Sequence, residues 1–142
     1  MKKVLIINGP NLNMLGIREP GIYGNMTLDE INKVILRKAK ELNYDVDFYQ
    51  SNIEGEIVNY IHSAYNNADG IIINPGAYSH YSGAIYDALK AVGLPTVEVH
   101  ISNVFAREEH RHNMVTAKAS KGVISGFGVK SYILALEGLF DE

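Results

Sequence analysis

The sequence contains no cysteine and no tryptophan. Without thiols the chain has no disulfide, no thiolate zinc site, no iron–sulfur cluster and no cysteine nucleophile. It also lacks a basic run, and its formal net charge of -3 gives no electrostatic footprint for nucleic acid. The apolar run at residues 4–7 is too short for a signal-peptide core or a membrane span. We therefore expect a cytoplasmic protein with neither nucleic acid nor membrane as a partner.

The composition is typical of one folded domain. The chain has 142 residues, of which 46% are hydrophobic and 20% are charged. A disordered chain would contain far fewer apolar residues. No linker, low-complexity stretch or internal repeat divides the sequence. We expect a single domain over residues 1–142.

Short β-rich runs alternate with helical patterns along the chain. Most of these runs are dense in Val and Ile without polar alternation, which is typical of strands buried on both faces of a parallel sheet. The alternation predicts an α/β fold with right-handed crossovers and helices on both faces. The size suits a doubly wound, flavodoxin-like, three-layer fold with strand order 2-1-3-4-5. The predicted strands are residues 3–8, 45–50, 70–74, 96–100 and 123–126.

Helix boundaries are indicated by capping signals. Thr27 with Glu30, and Ser51 with Glu54, both have the spacing of a capping box. A third helix is predicted to stop at Gly93, which Pro95 follows. Over residues 105–118 the helical pattern is weaker. The third and last helices are predicted over residues 81–92 and 131–140.

Polar segments follow every predicted strand. Ligands of such sheets bind beyond the carboxyl ends of the strands, so these segments are expected to converge. One of them contains both Glu98 and His100, although each segment taken alone is also explained by ordinary turn residues. Residues 16–24 look like a lid carrying Arg18 and Tyr23, or alternatively a surface loop in which Arg18 pairs with Glu19.

Four groups of motifs lie in order along nearly the whole chain. They occupy residues 8–16 with 18–20 and 23–24, residues 74–76 with 79–80, residues 98–103 with 106–108, and residues 122–128 with Tyr132. Together they resemble the type II 3-dehydroquinate dehydratases. The resemblance implies a flavodoxin-like fold and an anti elimination that converts 3-dehydroquinate to 3-dehydroshikimate through an enolate. It also implies aromatic amino-acid biosynthesis or quinate breakdown, no metal or organic cofactor, and a dodecamer built from trimers.

The resemblance also implies a role for individual residues. Tyr23 is the expected base and Arg18 the group that lowers its pKa. Asn11, acting through a water, stabilises the enolate oxygen. His100 is the expected acid and Glu98 holds it. The residues expected to bind substrate are Asn74, Ser102 and the Ile101 N–H at the carboxylate, His80 and Arg111 at ring hydroxyls, and Asp87 at a neighbouring subunit's site.

The chemistry of these roles is coherent. A phenol has a pKa of about 10, so a tyrosine base needs a nearby cation that favours the phenolate. Hydroxide is a poor leaving group, so an acid is needed opposite the base. An enolate oxygen needs only hydrogen-bond donors. The strand-end segments contain no lysine, which argues against a Schiff base.

Three alternatives remain open at this point. Residues 126–131 imitate part of a dinucleotide fingerprint, which would favour a nucleotide- or flavin-binding module. A metal hydrolase would use Glu108, Glu109, His110 and His112, although His110 and His112 would face different sides of a helix. The third alternative is an oligomer without catalysis.

Overall fold

A five-stranded parallel sheet forms the centre of the molecule in the computed structural model, which describes residues 1–17 and 26–140. All neighbouring strands pair in parallel and follow the order β2-β1-β3-β4-β5. The predicted fold and strand order are therefore confirmed. The strands are Lys2–Asn8 (β1), Tyr44–Gln50 (β2), Gly70–Asn74 (β3), Thr96–His100 (β4) and Gly122–Ser125 (β5).

Helices cover both faces of this sheet. The α-helices are Leu28–Glu41 (α1), Glu54–Ser63 (α2), Gly83–Val92 (α3) and Lys130–Gly138 (α4). Short 3₁₀ helices connect several elements: Leu12–Met14, Gly76–His80, Val104–Ala106, Glu109–His112 and Thr116–Ala119. No helix of the described ranges is long and apolar enough to cross a membrane.

Strand β1 shows why the strands lack polar alternation. Val4 and Ile6 pack into a core with α1 and α4, whereas Leu5 and Ile7 pack into a second core with α2 and α3. Side chains of a strand alternate between its faces, so a strand covered on both sides needs apolar residues at every position. The two cores make the three-layer arrangement that the sequence predicts.

The first capping box is present as predicted. The Thr27 hydroxyl accepts from the Glu30 N–H at 3.2 Å, and the Glu30 carboxylate accepts from the Thr27 N–H at 3.2 Å. Each contact satisfies a backbone donor that the first turn of α1 leaves unpaired.

The second predicted capping box is wrong. Helix α2 begins at Glu54, with Ile53 at the N-cap position. The Ser51 hydroxyl accepts from the Ile53 N–H at 2.9 Å in a local turn. Glu54 instead accepts a hydrogen bond from the Ser82 hydroxyl at 2.5 Å. Ser82 also accepts from the Ile85 N–H, so it caps α3 and moves the start of that helix to Gly83.

The C-terminal half differs from its prediction mainly at boundaries. Helix α3 ends at Gly93, whose φ of 65° is left-handed, as the Gly and Pro signals predict. Strand β5 ends one residue earlier than predicted, and α4 starts one residue earlier and ends two earlier. The weak helical pattern at residues 105–118 corresponds to short 3₁₀ helices.

Gly9 allows the loops after β1 and β3 to touch. Its N–H donates to the Asn74 carbonyl at 2.8 Å, and a Cβ at this position would lie 2.6 Å from the Pro75 carbonyl oxygen. No side chain fits there without movement of backbone. At Gly55, in the first turn of α2, a Cβ would meet no other atom within 4 Å.

We expect Gly9→Ala to lower the free energy of unfolding by about 1–3 kcal/mol, because overpacking forces the two loops apart. The matched variant Gly55→Ala should raise it by about 0.4–1 kcal/mol through helix propensity and unfolded-state entropy. Thermal unfolding followed by circular dichroism measures both. Equal effects of the two variants would contradict the close approach at Gly9.

Candidate active site

A cavity of about 120 Å³ opens at the carboxyl ends of β1, β3 and β4. Its position agrees with the rule that ligands of open parallel sheets bind at this edge. Most of the residues singled out in the sequence meet here although they are far apart in the chain. Those that line the cavity are Asn11, Asn74, His80, His100, Ile101, Ser102 and Arg111.

Of the other four residues named from the sequence, the two that the structure describes, Glu98 and Asp87, do not line this cavity. Glu98 is fully buried next to His100. Asp87 is exposed on α3 and is not among the described residues of the lining. Arg18 and Tyr23 lie outside the described residues. The expected roles of all four stay predictions at this point.

A buried pair, Glu98 and His100, forms the most distinctive contact of the site. Both belong to β4 with one residue between them, so their side chains leave the same face of the strand. Glu98 Oε2 lies 2.7 Å from His100 Nε2, and the two side chains are 0% and 7% exposed. The carboxyl group therefore fixes the orientation of the ring and occupies one of its two nitrogens.

Thr116 is a third member of this hydrogen-bonded group, although no pattern in the sequence singles it out. Its hydroxyl donates to the other Glu98 oxygen, Oε1, at 2.5 Å, and the residue is fully buried. Both oxygens of a carboxyl group removed from water thus have a partner, which is what makes its burial tolerable. Thr116 lies in a short 3₁₀ helix without hydrophobic periodicity, so its position follows only from the tertiary fold.

A small network of side-chain amides fixes the backbone conformation at Asn11. This residue has a φ of 69°, and its N–H donates to Asn52 Oδ1 at 3.0 Å. Gln50 Nε2 donates to the same oxygen at 3.1 Å, and the Tyr78 hydroxyl donates to the Asn52 carbonyl at 2.8 Å. Left-handed backbone is more accessible to Asn than to most residues. Asn52 therefore positions Asn11. The sequence indicated Asn52 only as part of the polar segment that follows the second strand.

Two serines fix the loop after β4. The Ser125 hydroxyl donates to the Ser102 carbonyl at 3.0 Å and accepts from the Val104 N–H at 3.2 Å. The Ser131 hydroxyl donates to the His100 carbonyl at 3.2 Å. These contacts hold the segment that contains the Ile101 and Ser102 positions of the cavity wall.

The glycine-rich turn at residues 126–128 has a structural explanation. A dinucleotide-binding loop offers its N–H groups to phosphate. Here the corresponding groups already have partners within the protein, so this observation removes the basis of the nucleotide alternative. The Gly126 N–H donates to the His100 carbonyl at 3.1 Å, the Phe127 N–H to Ser131 Oγ at 3.2 Å, and the Gly128 N–H to the Ile101 carbonyl at 3.0 Å.

His80 is held by a reciprocal contact with Asn113. His80 Nδ1 lies 2.9 Å from the Asn113 carbonyl oxygen, and Asn113 Nδ2 donates to the His80 carbonyl at 3.2 Å. A carbonyl can only accept, so Nδ1 carries a proton and Nε2 of the neutral ring is left as an acceptor. Burial lowers the pKa of His80 below its ordinary value, which favours this neutral form.

Two arginines add positive charge to the cavity wall, Arg107 and Arg111. Arg111 Nε donates to Glu108 Oε2 at 2.5 Å, and this contact lowers the pKa of the Glu108 carboxyl. Within residues 1–17 and 26–140, no group of three or more histidines and carboxylates is arranged to hold a metal. Glu108, Glu109, His110 and His112 are therefore not assembled as the metal-hydrolase alternative requires.

Residues 2–140 match the family described as dehydroquinase class II. The chain belongs to the class II dehydroquinase family. It is 64% identical to a 3-dehydroquinate dehydratase of Caldicellulosiruptor bescii over 98% of this chain and 97% of the relative. It is 59% identical to a 3-dehydroquinate dehydratase of Clostridium perfringens over 96% of each chain.

Solved structures of class II dehydroquinases share the fold. The type II dehydroquinase of Butyrivibrio crossotus superposes with a TM-score of 0.95 at 53% identity, covering 97% of both chains. That of Propionibacterium acnes gives a TM-score of 0.93 at 44% identity, covering 96% of this chain and 94% of the other. The family resemblance read from the motifs is therefore confirmed.

In this class II dehydroquinase we expect Thr116→Val to lower the free energy of unfolding by about 1.5–3 kcal/mol, because a buried carboxyl oxygen loses its donor. Thr96→Val is the matched control. Thr96 is 1% exposed, and its hydroxyl donates to the Leu94 carbonyl at 3.0 Å, at the opposite end of β4. That variant should lose only about 0.5–1.5 kcal/mol. Urea unfolding measures both, and equal losses would contradict a special role of Thr116.

Proposed function

We propose that the chain catalyses the dehydration of 3-dehydroquinate to 3-dehydroshikimate, in the shikimate pathway or in quinate breakdown. The observation that carries the proposal is the buried Glu98–His100 pair at the wall of a polar cavity, in a member of the class II dehydroquinase family. A histidine with one nitrogen fixed by a carboxyl group is suited to give a proton to a leaving hydroxyl.

The base of the proposed reaction is Tyr23, and its assignment comes from the family motif. The phenolate would remove the proton from the carbon next to the ketone and leave an enolate. Arg18, also of that motif, would favour the phenolate by its positive charge. Asn11, which lines the cavity, would stabilise the enolate oxygen through a water, so the mechanism requires neither metal nor organic cofactor.

The acid of the proposed reaction is His100, acting through Nδ1. Its Nε2 lies 2.7 Å from Glu98, so Nδ1 is the nitrogen left for the substrate. In the second step the enolate expels the hydroxyl group, which takes the Nδ1 proton and departs as water. The remaining imidazole is neutral, and Glu98, held by Thr116, keeps the ring in place throughout.

The substrate carboxylate would be bound by neutral donors: Asn74, Ser102 and the Ile101 N–H. All three positions line the cavity. Ring hydroxyls of the substrate would be bound by His80 and Arg111. The neutral form of His80 supports this, because its Nε2 can accept a hydroxyl proton. Glu108 occupies Arg111 Nε, so Arg111 would act through its terminal nitrogens.

The quaternary part of the proposal is a homo-dodecamer built from trimers, as the family motifs imply. In such an assembly Asp87 would reach the cavity of a neighbouring subunit. Its exposed position on α3 is compatible with that role.

The purified protein should convert 3-dehydroquinate to a product with the ultraviolet absorbance of a conjugated enone. The rate should be the same after treatment with a chelator, because the proposed charge stabilisation uses hydrogen-bond donors. Absence of the enone would show that the proposed function is wrong. Loss of the rate in chelator, restored by added metal, would contradict the metal-free mechanism alone.

Base and acid can be separated by isotope exchange. Tyr23→Phe should lower turnover by ~10² to 10⁴-fold and equally lower exchange of the substrate's proton with deuterated water. His100→Gln should lose enone formation to a similar extent but keep the exchange, because enolate formation precedes loss of the hydroxyl. Mass spectrometry of recovered substrate measures the exchange.

The control for these variants is Tyr65→Phe, since Tyr65 is 62% exposed and is not one of the described residues that line the cavity. It should behave as the unmodified protein in both assays. Exchange in Tyr23→Phe at the unmodified rate would exclude Tyr23 as the base.

A further inference from the structure

Tyr132 joins the site to α4 without taking part in the chemistry proposed above. It is fully buried, and its hydroxyl oxygen lies 2.5 Å from Asn8 Oδ1 and 3.1 Å from Asn74 Nδ2. Asn8 and Asn74 are the last residues of β1 and β3 and are direct partners in the strand register. One phenol therefore bridges two side-chain amides, one of which lines the cavity.

The direction of this hydrogen-bond chain is fixed by a backbone group. The Gly76 N–H lies 3.2 Å from the Asn74 side chain and can only donate, so Asn74 Oδ1 has to face it. Asn74 Nδ2 then faces Tyr132, whose oxygen accepts and whose single proton goes to Asn8 Oδ1. If the Asn74 amide were reversed, its Nδ2 donor would face the Gly76 N–H, which is also a donor.

Asn8 enters this chain through its oxygen. Within the described parts of the chain, its Nδ2 is buried without a hydrogen-bond partner. The Asn8 amide oxygen faces Tyr132 and accepts the phenol proton. Burial also raises the pKa of the Tyr132 phenol, which keeps the donated proton in place.

We propose that Tyr132 is a positioning residue that holds the Asn74 amide with one Nδ2 proton directed to Tyr132 and the other available to a carboxylate in the cavity. An amide nitrogen carries two protons, and the first is used by the phenol oxygen. The inference rests on the proposed function, since it takes Asn74 to bind the carboxylate of 3-dehydroquinate.

Tyr132→Phe removes the hydroxyl and conserves the ring. We expect its KM for 3-dehydroquinate to rise about 3- to 10-fold, the range for one neutral hydrogen bond, while kcat changes less than about 2-fold. A change of this kind is expected because the carboxylate is held equally in the ground state and the transition state. The matched control is Tyr60→Phe, whose hydroxyl donates to Glu56 on the surface of α2, and its KM should not change.

Asn8→Leu supplies a second, independent test. It leaves the Tyr132 hydroxyl in place but removes the acceptor of its proton. That proton then turns towards Asn74 and favours the reversed amide, so KM should rise as in Tyr132→Phe. In an Asn74→Ala background neither substitution should raise KM further, because both act through the same amide. All rates are measured well below each variant's unfolding midpoint, with near-ultraviolet circular dichroism as the check of folding.

The outcomes separate this inference from the proposed function. Failure of the unmodified protein to form the enone rejects the function itself. The positioning role is overturned if the protein is active and Tyr132→Phe and Asn8→Leu leave KM unchanged. It is also overturned if these substitutions raise KM just as much in the Asn74→Ala background. If Tyr132→Phe does not fold, Asn8→Leu and its combination with Asn74→Ala decide the question.

Discussion

The burial of the Glu98 carboxyl group is the constraint on which the carboxyl end of the sheet depends. A carboxylate removed from water is costly unless its oxygens are hydrogen-bonded. One oxygen is held by His100, from the same strand, and the other by Thr116, from a 3₁₀ helix distant in sequence. This requirement ties the 3₁₀ helix of Thr116 to β4, and it orients the ring to which we assign proton transfer.

A second set of hydrogen bonds, made by uncharged side chains, fixes the backbone close to the cavity. Gln50, Asn8 and Asn74 end three adjacent strands at the same level of the register. The side chains of Gln50 and Asn74 hydrogen-bond to loop backbone at Gly9 and Gly76, and the side chain of Asn8 accepts from Tyr132. Ser125 and Ser131 do the same for the segment after β4. The chain thus uses hydroxyl groups from β5 and α4, and amide groups from the ends of β2 and β3, to fix backbone close to the cavity.

The sequence predicted the α/β fold from local signals: apolar strands, capping residues and glycine stops. The strand order came instead from the size of the chain, which suits a flavodoxin-like sheet. It predicted the position of Asn11, Asn74 and His100 because parallel strands bring their carboxyl ends to one edge. It failed at Ser51, where a local turn competes with a helix cap, and it missed Thr116, whose only mark is a contact made across the fold. The glycines of the last loop looked like a phosphate site until their N–H groups were found to be engaged in the protein.

The row of amides at the ends of β2, β1 and β3 has a consequence for how the cavity responds to acidity. Asn and Gln side chains do not titrate, so their pattern of donors and acceptors is the same in acid and in base. Among these three amides Asn74 is the one that lines the cavity, so the carboxylate position that we assign to it would keep the same donors in acid and in base. In the proposed reaction a change of acidity would therefore act on binding through the titratable ring of His80 and not through the Asn74 amide.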